Sequence, residues 1–167
     1  TAARSEKDLK RAEEWGLKAL ESSGCNPETD ALAPYFLATE IYLRQKKYKK
    51  MAEMLNIAEQ RNPDQLLERP FKLGDTPITT IQEGVNSYRE QEWSAIYNKI
   101  VDLINTNQFD RANDKIEVAI LIDPNRIENY STLAGIHLHN LNNKEALNAI
   151  KRGLEIDDTN SILNLMK

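Results

Sequence analysis

Apolar residues in the second half of the chain recur at spacings of three and four positions. Ala112, Ile116 and Ala119 follow this spacing, which places them on one face of an α-helix rather than along a strand. Asp123-Pro124 follows the run, and the residue before a proline avoids the α region. The pattern therefore predicts a helix that ends at a turn just before Pro124.

The same pattern returns at a fixed period. Residues Arg111–Asn125 align with Glu145–Thr159 after a shift of 34 residues. An earlier copy occupies Tyr48–Asp64, and a partial copy opens the chain at Asp8–Gly24. Such a period is typical of repeat proteins, whose units cannot bury an apolar face alone and are stabilised by stacking on their neighbours.

At this period the sequence resembles the tetratricopeptide repeat family, whose unit is a helix–turn–helix of 34 residues. The family signature combines a bulky residue, a Leu–small pair, an aromatic residue, two small residues on the second helix and a closing proline. The matching residues here are Tyr35, Tyr42, Tyr48, Ala58 and Pro63, then Ile96, Phe109, Ala112, Ala119 and Pro124, then Tyr130, Leu133, Ala134, Ala146 and Gly153. Met51, His137 and Asp158 depart from the signature at positions that tolerate variation. The resemblance implies an all-α fold, a right-handed α-solenoid of tandem helix pairs.

The resemblance also implies that residues 1–167 form one repeat domain. Its expected parts are a half repeat at 5–26, full repeats at 32–65, 93–126 and 127–160, an insertion with an extra helix at 66–92, and the start of a further or capping helix at 161–167. Because the chain begins and ends inside a repeat, we expect either a longer protein or disordered ends. Open repeat ends also offer a route to self-association.

The insertion at 66–92 breaks the period. Gly74-Asp75 predicts a loop, after which Thr76 is expected to cap a helix with Pro77 in its first position. That helix is expected to run on into Trp93 as one long first helix. Two interpretations are open: a tolerated loop insertion, or a segment that folds across the groove of the repeats or mediates dimerisation.

Composition and charge narrow the possible functions. A net charge of −4 argues against a nucleic-acid partner, because such proteins usually carry a basic face. No apolar run reaches the roughly 18 residues that a membrane-spanning helix needs. Cys25 is the single cysteine, so no internal disulfide can form. The chain starts at Thr1 without a visible signal peptide, which leaves cytoplasm and periplasm open, and its many Asn, Lys and Ile residues favour a bacterial source.

No constellation of residues predicts chemistry. His137 and His139 are two positions apart, so on a helix they point to opposite sides and cannot readily bind one metal. Asp123, Asp157 and Asp158 recur at helix ends and are expected to be turn residues. The sequence has no Gly-rich phosphate loop, H-E-x-x-H motif or nucleophile elbow. We therefore predict no catalytic, cofactor or metal site, and no enzymatic activity.

In the resembled family, the first helices line a concave groove that binds peptides. The positions that match this lining are Phe36, Glu40, Leu43 and Arg44 in the first full repeat, Tyr97, Asn98, Val101, Ile104 and Asn105 in the second, and Ser131, Thr132, Gly135, Leu138 and His139 in the third. One sub-class clamps the terminal carboxylate of heat-shock chaperones with paired Lys and Asn. Because Phe36 and Glu40 stand at such a pair of positions here, we do not expect that partner.

This lining is aromatic, aliphatic and amide-bearing, and it suits an extended or helical segment with apolar anchors. Phe36 and Tyr97 are the expected anchors. The basic stretch Arg44–Lys50 is either a solvated turn or a contact for an acidic partner. The sequence thus predicts a non-enzymatic scaffold that binds a protein or peptide. A structural spacer or self-association module, and a regulatory segment of a longer protein, are the alternatives.

Overall fold

The computed structural model describes residues 2–21 and 29–167, and it is built of helices and one β-hairpin. The elements are α1 (Ala2–Glu21), α2 (Leu32–Phe36), a π-helical segment (Leu37–Tyr42), α3 (Tyr48–Arg61), β1 (Leu66–Leu73), β2 (Thr76–Thr80), α4 (Ile81–Asn105), α5 (Phe109–Ile122), α6 (Ile127–His139), α7 (Asn143–Ile156) and α8 (Ser161–Met166). The expected all-α repeat fold is confirmed, with the hairpin as an addition. The chain divides into a first unit, residues 1–90, and a second unit, residues 91–167.

One backbone turn recurs between the two helices of successive pairs. Lys46, Asn107 and Leu141 occupy it with positive φ angles of 55°, 56° and 60°. In each turn the N–H of the following residue donates to a carbonyl five positions back, at 2.9, 2.8 and 2.8 Å, which is the usual helix C-terminal motif. Asn107 and Leu141 are 34 residues apart. Lys46 and Asn107 are separated by one such period plus the 27 residues of the insertion. The same turn therefore returns at the period of the sequence pattern.

In the first unit, α2 and the π-helical segment pack against α1 and α3. Leu37, Ile41, Met51 and Leu55 are fully buried in this core. Gly16 on α1 permits the close approach of the helices, because a Cβ at that position would lie 2.5 Å from Leu37 Cδ2. Met51 stands where the family signature has a small residue, and its larger side chain is buried in this core.

The insertion begins with an antiparallel hairpin, β1 paired with β2, where a loop and the start of a helix were expected. Gly74 begins the two-residue connection with φ +59°, a conformation that glycine adopts without steric cost. The expectation that Thr76 caps a helix with Pro77 in its first position is wrong, since both residues belong to β2. Pro77 is paired with Lys72, next to the pair that closes the loop. This is a non-hydrogen-bonded pair of the antiparallel ladder, so the missing N–H of proline costs no hydrogen bond.

Helix α4 begins at Ile81 and is capped by the residues just before it. The Glu83 carboxylate accepts the N–H groups of Thr79 and Thr80 at 2.7 and 3.1 Å, and the Glu83 N–H donates to Thr80 Oγ1 at 3.3 Å. These backbone donors hold the pKa of Glu83 below its usual range. This reciprocal arrangement is a capping box. From there α4 continues without a break through Trp93 to Asn105, as the helical spacing predicted.

In the second unit, α6 packs against α5 and α7, and α8 packs against α7. Ile116, Ile122, Ile150 and Leu163 are fully buried. Gly153 is buried on α7, and a Cβ there would lie 2.9 Å from Tyr130 Cβ and closer still to Leu163. The small residue of the repeat signature is therefore required by helix contact.

Hydrogen bonds connect the turn at Asp123 to the buried side chains of Asn129 and Trp93. Asp123 makes an ion pair with Arg126 at 2.9 Å and accepts the Asn125 N–H at 3.3 Å. Fully buried Asn129 donates to the Asp123 carbonyl at 2.8 Å and accepts the indole N–H of Trp93 at 2.8 Å. Asp123 is thus a turn residue, as expected, and Asn129 links that turn to α4.

Candidate functional site

A cavity of about 970 Å³ lies in the first unit between α1, α2 with the π-helical segment, β1 and the N-terminal part of α4. The residues that line it are Trp15, Gly16, Ala19, Asp30, Leu32, Ala33, Tyr35, Phe36, Thr39, Glu40, Arg44, Leu67, Glu68, Arg69, Phe71 and Tyr88. Its volume is at the upper end of the range typical of ligand sites. We call it the first-unit cavity.

One wall of the cavity departs from α-helical geometry. The Leu43 N–H donates to the Ala38 carbonyl at 3.0 Å, an i to i+5 bond that marks the π-helical segment. Thr39 and Glu40 line the cavity from this segment, and Glu40 forms an ion pair with Arg44 one turn later. Short π-helical segments are frequent at functional sites.

Aromatic rings join the hairpin to the helices. The Tyr88 ring meets Tyr35 at 6.0 Å and Phe71 at 6.1 Å between centroids, both edge to face. Gly84 on α4 makes room for the Tyr35 ring, because a Cβ there would lie 2.8 Å from Tyr35 Cζ. Burial raises the pKa of the Tyr35 phenol well above its usual range, with smaller effects of Tyr88 and Glu40. These contacts pack β1 against the helices at one side of the cavity.

The cavity also contains aromatic surface that the protein itself leaves uncovered. Trp15 is 63% exposed and Phe36 is 43% exposed, and both line the cavity. The Lys18 ammonium lies 5.4 Å from the Trp15 ring centroid. Large aromatic side chains exposed inside a concavity mark a surface suited to binding.

Three of the four groove residues predicted in the first repeat lie at this cavity. Phe36, Glu40 and Arg44 line it, whereas Leu43 is half-buried and is not part of the lining. The basic stretch beside them is partly neutralised within the unit, since the ammonium groups of Lys47 and Lys50 lie 3.6 and 3.5 Å from Glu13 carboxylate oxygens.

The groove residues predicted on α4 lie in the second unit. Tyr97 stacks on Trp93 at 4.7 Å, and its hydroxyl shares a 2.7 Å hydrogen bond with that of Thr132. The proposed anchor at Tyr97 is therefore engaged within the protein. Ile104 is half-buried. The remaining α4 positions expose their side chains, namely Asn98, Val101 and Asn105.

The groove residues predicted on α6 are also divided between internal and exposed positions. Ser131 and Thr132 are half-buried, and Leu138 is 38% exposed. The His139 ring stacks on Phe109 at 3.7 Å. Within residues 2–21 and 29–167, no group of three or more His, Cys, Asp or Glu side chains is placed to hold a metal, and Cys25 lies outside those residues.

Sequence reasoning missed the aromatic residues that the insertion and α1 contribute to the cavity. Phe71 and Tyr88 come from the insertion, and Trp15 comes from the partial repeat. A local signal for the hairpin was present on one side only. Gly74-Asp75 favours a two-residue connection and Thr76–Thr80 is rich in strand formers, whereas Pro70 counts against a strand before it. Thr80 and Glu83 likewise had the spacing of a capping box.

No protein-family model matches the sequence, and no curated protein matches it. Among solved structures, the chain is similar to YrrB, a TPR protein with an unusual peptide-binding site. The sequence identity is 17% and the TM-score is 0.43, with 97% of this chain and 84% of that chain covered. No helix in the described part of the chain has the length and apolar character needed to cross a bilayer.

Proposed function

We propose that the chain is a non-enzymatic interaction module of the tetratricopeptide type that binds a peptide or protein segment in the first-unit cavity. The observation that carries this proposal is the exposure of Trp15 and Phe36, at 63% and 43%, inside a cavity of about 970 Å³. Buried aromatic anchors dominate the binding energy of most protein interfaces. The cavity offers two such anchors on helices that are fixed by the core beneath them.

The polar groups of the cavity suit recognition rather than chemistry. Glu40 and Arg44 pair with each other at its edge, and Asp30 accepts hydrogen bonds from Gln65 Nε2 at 2.9 Å and from the Leu32 N–H at 3.1 Å. A carboxylate held in this way stabilises local structure. Apolar walls with a few fixed polar groups are the usual composition of a site that orients a ligand.

The proposal is tested with a phage-displayed library of short peptides selected on the intact chain. Trp15→Ala and Phe36→Ala are each expected to weaken binding of the selected peptides by about tenfold or more. Leu121→Ala is the matched control, because Leu121 is 44% exposed on α5 in the second unit. Peptides that bind all three variants as tightly as the parent chain would refute the assignment.

A second candidate function, self-association, is favoured by α8. Leu163 is fully buried there, whereas Ile162 and Leu165 are 56% and 88% exposed. Light scattering over a range of concentrations tests this candidate. A mass that rises with concentration and returns to that of the monomer in Leu165→Glu would support it, and a constant monomer mass would exclude it.

A further inference from the structure

Strand β1 contributes consecutive residues to the wall of the first-unit cavity. Leu67, Glu68 and Arg69 are consecutive, and all three line the cavity. Phe71, where the regular pairing with β2 resumes, lines the cavity as well. Strand β1 therefore borders the cavity along most of its length.

The pairing of β1 with β2 leaves main-chain groups available at Lys72, whereas Pro70 has no N–H to donate. The ladder is irregular between Leu66 and Phe71, so the segment between them lies outside the regular pairing. Leu73 pairs with Thr76 across the two-residue loop, and Lys72 stands opposite Pro77. Because hydrogen-bonded and non-hydrogen-bonded pairs alternate, the Lys72 N–H and C=O point away from β2. Within residues 2–21 and 29–167, the sheet contains no third strand.

Two charged side chains lie on the same strand without an ion-pair partner among residues 2–21 and 29–167. Glu68 and Arg69 are exposed, and neither forms an ion pair within the described ranges. Glu40 and Arg44, on the helical side of the cavity, pair with each other instead. The strand side of the cavity therefore carries one negative and one positive group open to a ligand of complementary charge.

We propose that the cavity takes an extended peptide segment, which pairs with the edge of β1 as a third strand. An apolar side chain of that segment sits between Trp15 and Phe36, flanked by one basic residue near Glu68 and one acidic residue near Arg69. A helical segment satisfies its own main-chain groups and gains nothing from a strand edge, whereas an added strand uses them. This inference rests on the proposed function and specifies the conformation of the bound segment.

The test uses peptides selected from the phage library on the intact chain, with affinity measured by calorimetry. Each peptide is remade with single backbone N-methyl groups along its length. Strand pairing predicts a loss of about tenfold at every second position and little effect at the positions between. Amide exchange of Lys72 is expected to slow when the peptide binds. A selection on the Glu68→Lys, Arg69→Glu double variant is expected to return peptides with the two charges exchanged.

The outcomes separate this inference from the function beneath it. Peptides that depend on Trp15 and Phe36 but tolerate N-methylation, and that lose affinity on side-chain truncation at every third or fourth residue, would show a bound helix. That result overturns the inference and leaves the proposed function standing. Peptides indifferent to Trp15→Ala and Phe36→Ala would overturn both. Circular dichroism of each variant shows that the fold is retained, as expected for these exposed side chains.

Discussion

Two helix glycines in the second unit predict opposite effects of one substitution. Gly135 lies on α6 and Gly153 on α7, and alanine is favoured over glycine inside a helix by about 0.5–1 kcal/mol. A Cβ at Gly135 would meet no atom within 4 Å, so Gly135→Ala is expected to gain that full amount. At Gly153 the Cβ would lie 2.9 Å from Tyr130 Cβ. The backbone would have to move to relieve this clash.

The magnitude at Gly153 follows from overpacking. Inserting a methyl group into a filled core costs about 1–3 kcal/mol, which exceeds the helix gain, so Gly153→Ala is expected to lose about 1 kcal/mol. Thermal unfolding followed by circular dichroism measures both variants. For a chain of this size, 1 kcal/mol corresponds to about 2–4 °C, with Gly135→Ala above the parent chain and Gly153→Ala below it. Equal shifts of the same sign would refute the account of helix contact at Gly153.

Three further predictions concern single residues. Asn129→Ala leaves the buried indole N–H of Trp93 unpaired and is expected to cost about 1–3 kcal/mol in denaturant unfolding, whereas Asn148→Ala, at an exposed α7 position, is the control. Leu141→Gly relieves a φ of 60° at a residue that is 83% exposed and is expected to raise the melting temperature in calorimetry; a lower value would count against backbone strain. The pKa of Glu83 is lowered in the folded state. The ionised carboxylate therefore stabilises the fold above the unfolded pKa of about 4.3, and this stabilisation is lost as the pH falls through the folded pKa. Acid titration of Glu83→Gln should therefore show a shallower loss of stability than the parent chain.

The helices and their turns were predictable because their causes are local or periodic. Asp123-Pro124 stops a helix by the geometry of two residues, and the 34-residue period transfers that conclusion to the other copies. The hairpin was not found, because Thr76-Pro77 fits both a helix start and a strand. Whether these two residues form a helix start or a strand depends on contacts distant in sequence, such as that of Phe71 with Tyr88 at 6.1 Å.

The candidate site divides in the same way. The repeat register alone selected Phe36, Glu40 and Arg44, because equivalent positions of a repeat face the same direction. These three residues line the first-unit cavity. Trp15 could not be selected in this way, because its position beside the cavity depends on how α1 packs over Leu37. The expected anchor role of Tyr97 overlooked its hydrogen bond to Thr132, which joins two helices whose alignment no local pattern specifies.

The two tryptophans give each unit its own optical reporter. Trp15, 63% exposed at the cavity, is in the first unit, and Trp93, 8% exposed beside Asn129, is in the second; the chain contains no others. Their emission is therefore expected at different wavelengths, with a bound peptide shifting the solvent-exposed Trp15 to the blue and leaving Trp93 unchanged. In Trp15→Phe the remaining signal follows the second unit alone, so ligand binding and the unfolding of each unit can be observed without an added label.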